Sequence, residues 1–213
     1  MEKLKSMKTI SYAITVCNEI EELTKLLNFL QNTMREDDEI VVQYDETSVT
    51  QEVLEYLDIM QKMHKYTIVG FPLNKDFATF KNNLKNHCTK DYIFSIDADE
   101  IPHENLINWL PNVLEDNPVD VVFVPRVNTV EGLTQEHIQK WGWNVNEKGW
   151  VNYPDYQLRV YRRTDEVEWR NKVHETLTGY DTFSNFPAEE EWSLYHPKEI
   201  QRQEKQNEFY ETI

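Results

Sequence analysis

Two carboxylates one residue apart close an apolar segment of this chain. Asp97 and Asp99 follow residues 92–96, a run without Gly or Pro that predicts a buried strand. Positions i and i+2 of an extended strand share a face, so the two carboxylates point the same way and repel each other unless a cation lies between them. A Mg²⁺ or Mn²⁺ ion that also takes phosphate oxygens would satisfy the pair. The alternative is an acidic turn at a strand exit.

The elements expected to position this pair alternate between strand and helix. The apolar patterns predict strands over residues 10–17, 39–44, 67–71 and 92–96. They also predict four helices: one capped by Asn18, one capped by Thr47 or Ser48, one over residues 77–87 and one over residues 104–115. Such alternation indicates βαβ units and a mostly parallel sheet, which binds ligands beyond the carboxyl ends of its strands. Asn18, Asp45 and the Asp97/Asp99 pair all follow strands, so we expect them to meet at one edge.

The second half of the chain has a less regular pattern. Strands are expected over residues 119–125 and 157–163, and a polar terminal helix within 199–213. Trp141, Trp143 and Trp150 lie between those strands, and their aromatic faces predict a platform on which a ligand could stack. A small satellite core beneath a long loop is the alternative role for these three side chains.

Composition narrows the class of protein. A formal net charge of −16 argues against a general nucleic-acid or anionic-membrane surface, so a nucleic-acid substrate is the less favoured partner. No apolar run approaches the roughly 20 residues of a transmembrane helix, and no apolar segment of a secretory signal follows residues 1–8. Cys17 and Cys88 lack metal-type spacing and are expected to be reduced. These features predict a cytoplasmic protein without a transmembrane segment.

Four sequence blocks follow one another along the chain: Asn18-Glu19 with Asp45 after the next strand, residues 76–82 leading into 97–100, residues 154–163, and residues 169–175 with His196 downstream. In this order, from about residue 8 to the terminal helix, they resemble family 2 glycosyltransferases with the GT-A fold. The resemblance implies an α/β fold: a Rossmann-like, mostly parallel central sheet flanked by helices, with a smaller acceptor-side region. It implies one domain with a nucleotide-sugar-binding half, residues 1–125, and an acceptor-side and metal-completing half, residues 126–213.

The resemblance also implies roles for individual residues. Donor binding falls to Asn18, Glu19, Asp45, Lys81, Asp97 and Arg159, and the Mn²⁺ or Mg²⁺ ion to Asp97, Asp99 and His196. Asp99 is preferred as the more direct metal ligand. Lys81 stands where the family has Arg, which keeps the positive charge but loses the planar fork. The catalytic base is either Glu175 or Asp155, with Glu175 slightly preferred.

The function implied is inverting transfer of a sugar from a nucleoside-diphosphate donor, a UDP-sugar above all, to a hydroxyl of a carbohydrate or other acceptor. The metal would stabilise the departing diphosphate and a carboxylate would take the acceptor's proton. A nucleotidyltransferase is one alternative, although residues 15–19 contain none of the glycines of a phosphate loop. A catalytically silent nucleotide-sugar-binding module is the other.

Overall fold

The structure, a computed structural model, describes residues 7–210, with side chains described up to residue 205. Three sequence predictions extend beyond that range. They are the lack of a signal segment at residues 1–8, the outer ends of the two halves, and the end of the terminal helix. Their parts within residues 1–6 and 211–213 lie outside the described residues. Across residues 7–210, no helix combines the length and apolar character needed to cross a membrane.

Strand and helix alternate through the first part of the chain, as predicted. The elements are β1 (Ile10–Val16), α1 (Ile20–Thr33), β2 (Glu39–Asp45), α2 (Gln51–Met63), β3 (Thr67–Phe71), α3 (Phe77–Asn86), β4 (Tyr92–Asp97), β5 (Ile101–Pro102) and α4 (Glu104–Asp116). The remaining elements are β6 (Val121–Glu131), α5 (Gln135–Trp141), β7 (Val151–Arg162), β8 (Glu168–Arg170), β9 (Thr176–Thr178), β10 (Phe183–Asn185), a 3-10 turn (Glu190–Trp192), β11 (Leu194–Glu199) and α6 (Ile200–Tyr210). The predicted division after residue 125 falls inside β6, so both halves share this strand.

One large sheet carries both halves of the described chain. Its strands run in the order β3-β2-β1-β4-β7-β6-β11-β5, with β10 added beside β6. The pairs among β1 to β4, and those of β6 with β10 and β11, are parallel, whereas β7 runs antiparallel to both β4 and β6. This mainly parallel sheet flanked by helices confirms the predicted α/β class. β8 and β9 form a separate two-stranded sheet.

The helices are held against the sheet by apolar stripes at helical spacing. In α1 the buried side chains are Leu23, Leu26, Leu27 and Leu30, all with no exposed surface. They pack in the main core cluster with β-strand residues such as Ile14. Burying a Leu side chain stabilises the fold by about 1.5–3 kcal/mol, so this stripe alone explains why α1 docks. Docking α1 in this way places its first turn at the carboxyl end of β1.

The predicted caps of the first two helices are wrong. Glu19, not Asn18, precedes α1, and its Oε2 accepts hydrogen bonds from the backbone N–H groups of Cys17 and Asn18. The second helix begins after Thr50. Thr47 and Ser48 donate their hydroxyl protons to Asp45 instead. Thr47 and Ser48 therefore bond a nearby carboxylate instead of capping the N-terminus of the helix.

The predicted ends of two strands are also wrong. β6 continues six residues past Pro125, to Glu131, and β7 begins at Val151 rather than near Gln157. A proline usually ends an internal strand because it has no N–H to donate. Here Pro125 sits between two register irregularities of the β6–β7 pair, where the ladder is already interrupted. The extension brings the side chains of Arg126 and Asn128 to the predicted site.

Candidate functional site

A cavity of 880 Å³ opens beyond the carboxyl ends of β1, β2 and β4. That volume lies within the usual range for pockets that bind small molecules and cofactors. Most of the residues predicted to form the site line it, namely Glu19, Asp45, Lys81, Asp97, Asp99, Arg159, Glu175 and His196. Asn18 and Asp155 are absent from the lining. The parallel topology therefore brings together side chains from widely separated parts of the chain.

Asp97 is held by partners on two neighbouring strands. Its Oδ1 accepts a hydrogen bond from Thr15 Oγ1 at 3.0 Å, and its Oδ2 contacts the Arg159 guanidinium at 2.6 Å. Burial would raise the pKa of Asp97, but Arg159, Lys81 and these hydrogen bonds hold it well below its usual range. Asp97 is consequently a fixed anion at the end of β4.

A network of alternating charges extends from Asp97 along the cavity. Arg159 joins Asp97 to Glu100, and Arg126 joins Glu100 to Asp155, with every N–O distance between 2.6 and 3.0 Å. Glu100 has no exposed surface and Arg159 is 4% exposed, so neither charge is compensated by bulk water. Removing one partner of such a buried pair leaves its neighbour uncompensated, which is far more costly than losing a surface ion pair. These linked ion pairs thus make the acidic carboxyl end of β4 rigid.

Asp99 and His196 lie next to each other in the lining of the cavity. The distance from Asp99 Oδ2 to His196 Nε2 is 3.3 Å, and Arg202 Nη2 lies 3.2 Å from the same oxygen. Two ligands at right angles around an ion, each about 2.1 Å from it, are about 3.0 Å apart. The Asp99–His196 spacing therefore suits two adjacent ligands of one divalent cation.

The nature of these two groups also suits a cation. Among residues 7–210 no group of three or more His, Cys, Asp or Glu side chains encloses a metal site. An ion held by Asp99 and His196 would need further oxygen ligands from outside the protein. Mg²⁺ typically binds in this manner, through one or two protein ligands together with substrate phosphates. The residues present thus fit a cation shared with a diphosphate.

Glu175 projects from a loop anchored to α3. The Lys81 ammonium lies 2.5 Å from Glu175 Oε1 and 4.5 Å above the ring of Trp169. The loop is also tied down by Phe77, whose backbone N–H donates to the carbonyl of Lys172. His174 adopts a positive φ of 55°, so residues 174 and 175 do not continue a strand with alternating faces. Both side chains line the cavity.

Asp155 lies on β7 and is fully engaged by other side chains. Its Oδ2 accepts hydrogen bonds from Arg126 Nε, Arg126 Nη2 and Asn128 Nδ2, and its Oδ1 accepts one from Gln157 Nε2. Burial would raise the pKa of Asp155, but Arg126 and these hydrogen bonds lower it below its usual range. Asp155 therefore stays ionised and acts as a hydrogen-bond acceptor.

Asp45 braces the two loops that follow β2 and β3. Its Oδ1 accepts from the backbone N–H of Leu73 at 3.0 Å and from the backbone and hydroxyl of Thr47, while Oδ2 accepts from Ser48. Burial opposes ionisation of Asp45, but these hydrogen bonds lower its pKa. The carboxylate shapes one end of the cavity in addition to lining it.

Replacing Asp45 by Asn is expected to destabilise the protein by about 1–3 kcal/mol, because the charge that strengthens the hydrogen bonds from Leu73, Thr47 and Ser48 is lost and one accepting oxygen becomes an NH₂ group. The lowered pKa sets the sign of the pH dependence. The carboxylate's contribution is complete above the usual Asp range near pH ~4 and is lost as the pH falls through the lower folded-state value. Urea unfolding of both proteins between neutral and acidic pH measures the difference. Exposed Asp58 on α2, replaced by Asn, is the matched control; an equal loss there would refute the assignment.

The three tryptophans of the second half occupy different positions. Trp143 lines the cavity. The ring of Trp141 packs on the ring of Trp143, with their centroids 4.6 Å apart. Trp150 packs against Tyr153, with Lys148 Nζ 4.4 Å above its ring, and does not line the cavity. Of the predicted platform, Trp143 is therefore the side chain that a ligand in the cavity would meet.

Three cavity residues were not found from the sequence. Arg126 and Asn128 lie past the proline at which the strand was expected to end, although their alternate spacing continued the strand pattern. Arg202 lies on α6 and contacts Glu19 at 3.1 Å and Glu22 at 3.3 Å as well as Asp99. Nothing in the local sequence distinguishes Arg202 from the other polar residues of the terminal helix.

Comparison with known sequences identifies similar proteins. The sequence model of glycosyl transferase family 2 matches residues 11–192. The glycosyltransferase SunS, prophage-derived in Bacillus subtilis strain 168 and also found in Bacillus phage SPbeta, is 25% identical over 193 residues, covering 88% of this chain. The chain spans 39% of the length of these relatives.

Solved structures with the same fold include the S. aureus protein TarS. Its residues 1–349 superpose with a TM-score of 0.62 at 12% identity, covering 90% of this chain and 60% of that one. The same portion in complex with UDP-GlcNAc gives a TM-score of 0.63 at 13% identity, covering 90% of this chain and 59% of that one. At such low identity the likeness concerns the fold.

Proposed function

Because the chain belongs to glycosyl transferase family 2, we propose that it is an inverting glycosyltransferase that uses a nucleoside-diphosphate sugar and a divalent cation. The donor we propose is a UDP-sugar, and the acceptor is a hydroxyl of a carbohydrate or another molecule. The cation is Mn²⁺ or Mg²⁺. TarS was solved with UDP and with UDP-GlcNAc, which are ligands of the class proposed here.

The observation that carries the proposal is the pair Asp99 and His196, 3.3 Å apart at the carboxyl edge of a parallel sheet. Oxygen and imidazole ligands suit Mg²⁺ or Mn²⁺, and the remaining positions would be filled by diphosphate oxygens. When bound, the cation would stabilise negative charge on the departing nucleoside diphosphate. Asp97, fixed by Arg159 and Thr15, is proposed to face the donor or the same ion.

The proposed donor site extends along the cavity from this pair. Asp45 and the turn around Glu19 border the end that we assign to the nucleoside. Arg159 is proposed to act on the donor through Asp97, since its Nη2 bonds that carboxylate and Glu100. Asn18 is outside the cavity lining, so it is proposed to contribute through the backbone of the turn.

Glu175 is the proposed catalytic base. It lines the cavity, and Lys81 fixes its carboxylate through Oε1. The base must take the proton of the acceptor hydroxyl as that oxygen attacks the anomeric carbon, so it has to reach into the cavity. Asp155, the competing base, is absent from the lining and bonds Arg126, Asn128 and Gln157. This difference in position favours Glu175.

The acceptor is proposed to enter beside Trp143. An indole face and its N–H suit the apolar face and the hydroxyls of a sugar ring. An acceptor hydroxyl that attacks the anomeric carbon from the side opposite the departing diphosphate inverts the configuration of that carbon. Lys81, paired with Glu175, would also place positive charge near the donor's phosphates.

A thermal-shift panel tests the proposed donor class. UDP, GDP, CDP and ADP are each added to the protein with Mn²⁺, with Mg²⁺ or with EDTA. A ligand present at about 100 times its Kd adds about 2.7 kcal/mol of stability, which for a chain of this size raises Tm by about 5–10 °C. We expect UDP with a cation to give such a shift and UDP with EDTA to give a much smaller one.

Other results of the panel would change the proposal in defined ways. A cation-dependent shift with GDP, CDP or ADP alone would replace the UDP-sugar by another donor. Equal shifts with and without EDTA would remove the cation from the proposal. No shift with any nucleotide would contradict the donor site altogether.

A further inference from the structure

Asn128 lies directly opposite His196 in the sheet. β6 and β11 run parallel, and their register pairs these two residues, which are 68 positions apart in the sequence. Asn128 Oδ1 lies 2.8 Å from His196 Nδ1, and Asn128 Nδ2 lies 2.8 Å from Asp155 Oδ2. One amide therefore bridges the Asp155 carboxylate and the His196 imidazole, which lines the cavity.

The chemistry of these groups fixes the direction of each hydrogen bond. An ionised carboxylate can only accept, so the Asn128 amide must turn its NH₂ group towards Asp155. Its carbonyl oxygen then faces His196 and accepts the proton on Nδ1. With that proton on Nδ1, Nε2 is the ring nitrogen that the neutral imidazole offers to a cation. In this structure Nε2 lies 3.3 Å from Asp99 Oδ2, at hydrogen-bond distance, and a bound cation would replace that contact. Reversing the amide would place NH₂ against Nδ1 and a carbonyl oxygen against a carboxylate.

Asp155 is itself held in place by two further groups. Arg126 donates two hydrogen bonds to Oδ2, at 2.9 and 2.7 Å, and Gln157 donates one to Oδ1 at 2.7 Å. These contacts leave the carboxylate little freedom to rotate away from Asn128. A rigid acceptor at this place determines the orientation of the amide, and through it the orientation of the imidazole.

We propose that Asn128 and Asp155 are positioning residues which fix the His196 ring with the Nε2 lone pair directed at the cation site. The inference rests on the proposed cation-dependent function and adds two residues that do not touch the ion. Groups that orient a metal-bound histidine in this way commonly change metal affinity about 10–100-fold when they are removed. The proposal gives Asp155 a role other than that of the catalytic base.

The test measures Mn²⁺ binding rather than activity. Mn²⁺ is titrated into the protein with saturating UDP, and the free ion is followed by its EPR signal. Pulsed EPR on the bound ion then detects coupling to a histidine nitrogen. We expect Asn128→Leu, which keeps the side-chain size but removes the acceptor, to lower Mn²⁺ affinity by about 10–100-fold and to weaken the nitrogen coupling. Asn32→Leu on the exposed face of α1 is the matched control and should change neither.

A double variant separates positioning from general damage to the fold. In Asn128→Asp/Asp155→Asn the new carboxylate at position 128 accepts from His196, and the new amide at position 155 donates to it. We expect this pair to recover most of the affinity and coupling, whereas Asn128→Asp alone, with two adjacent carboxylates, should not. Failure of the double variant to recover either quantity would overturn the inference.

The outcomes also separate this inference from the proposed function. A wild-type protein that does not bind Mn²⁺ with UDP would refute the cation in the proposed function and this inference with it. A wild-type protein that binds Mn²⁺ without nitrogen coupling would refute the inference and remove His196 from the proposed cation site, while the cation dependence itself would stand. Unchanged Mn²⁺ affinity and coupling in Asn128→Leu would refute the inference alone.

Discussion

Replacing Asp99 by Asn is expected to abolish cation-dependent nucleotide binding and to lower kcat/KM at least about 10³-fold. The amide keeps the size of the carboxylate but loses the charge that a divalent cation requires, and a metal typically contributes several kcal/mol to stabilising transition-state charge. Asp99 lies 3.3 Å from His196, so one of the two side chains on which the proposed cation site rests would lose its charge. Mn²⁺ titration with UDP, followed by initial rates with the donor identified by thermal shift, measures both effects.

Asp58→Asn provides the control for this change. Asp58 lies on the exposed surface of α2, where it pairs with Lys62 one turn away. Such surface pairs contribute little, so this variant should bind Mn²⁺ and UDP as the wild type does. Retention of cation-dependent UDP binding by a folded Asp99→Asn protein would refute the assignment of Asp99 as a metal ligand.

Replacing Glu175 by Gln is expected to preserve UDP and Mn²⁺ binding and to lower kcat by about 10²–10⁴-fold, the usual contribution of a general base. Gln has nearly the shape of Glu and can still accept a hydrogen bond from Lys81 through its carbonyl oxygen. It cannot take the proton of an acceptor hydroxyl. Binding constants for UDP with Mn²⁺, measured beside kcat with saturating acceptor, separate loss of chemistry from loss of donor. Glu55→Gln on the exposed face of α2 serves as the control.

Asp155→Asn discriminates between the two candidate bases. If Asp155 positions His196 through Asn128, its loss should weaken Mn²⁺ binding, and added Mn²⁺ should restore part of the rate. If Asp155 is the base, the rate should fall while Mn²⁺ binding stays the same. An active Glu175→Gln protein together with this second result would show that the base was assigned to the wrong carboxylate.

Much of the fold follows from short-range patterns. The alternation of strands with amphipathic helices through residue 116 is confirmed, and β3 has the bounds predicted for it. The apolar stripe of α1 is buried as its spacing required. Patterns of this kind depend on residues two to four apart, which contact the same neighbouring layer whatever the rest of the chain does. They therefore survive in the tertiary structure.

The ends of elements were predicted less well, because they depend on which partner a polar group finds. Thr47 and Ser48 would serve as helix caps in isolation, but both bond Asp45. Pro125 was expected to end its strand, yet β6 continues because β7 and β11 pair with the residues that follow the proline. In each case a contact formed on folding outweighed the local preference.

By itself, the sequence determined that acidic residues would follow the strands of a parallel sheet, and so where the cavity would lie. Only the tertiary structure decided how those residues pair. Asn128 meets His196 through the register of two strands, Arg126 joins Glu100 to Asp155, and Lys81 engages Glu175 across 94 positions of sequence. The physical reason is that hydrogen bonds and ion pairs act over about 3–4 Å. Strand register and helix docking decide which side chains come that close, and no local sequence pattern encodes register or docking.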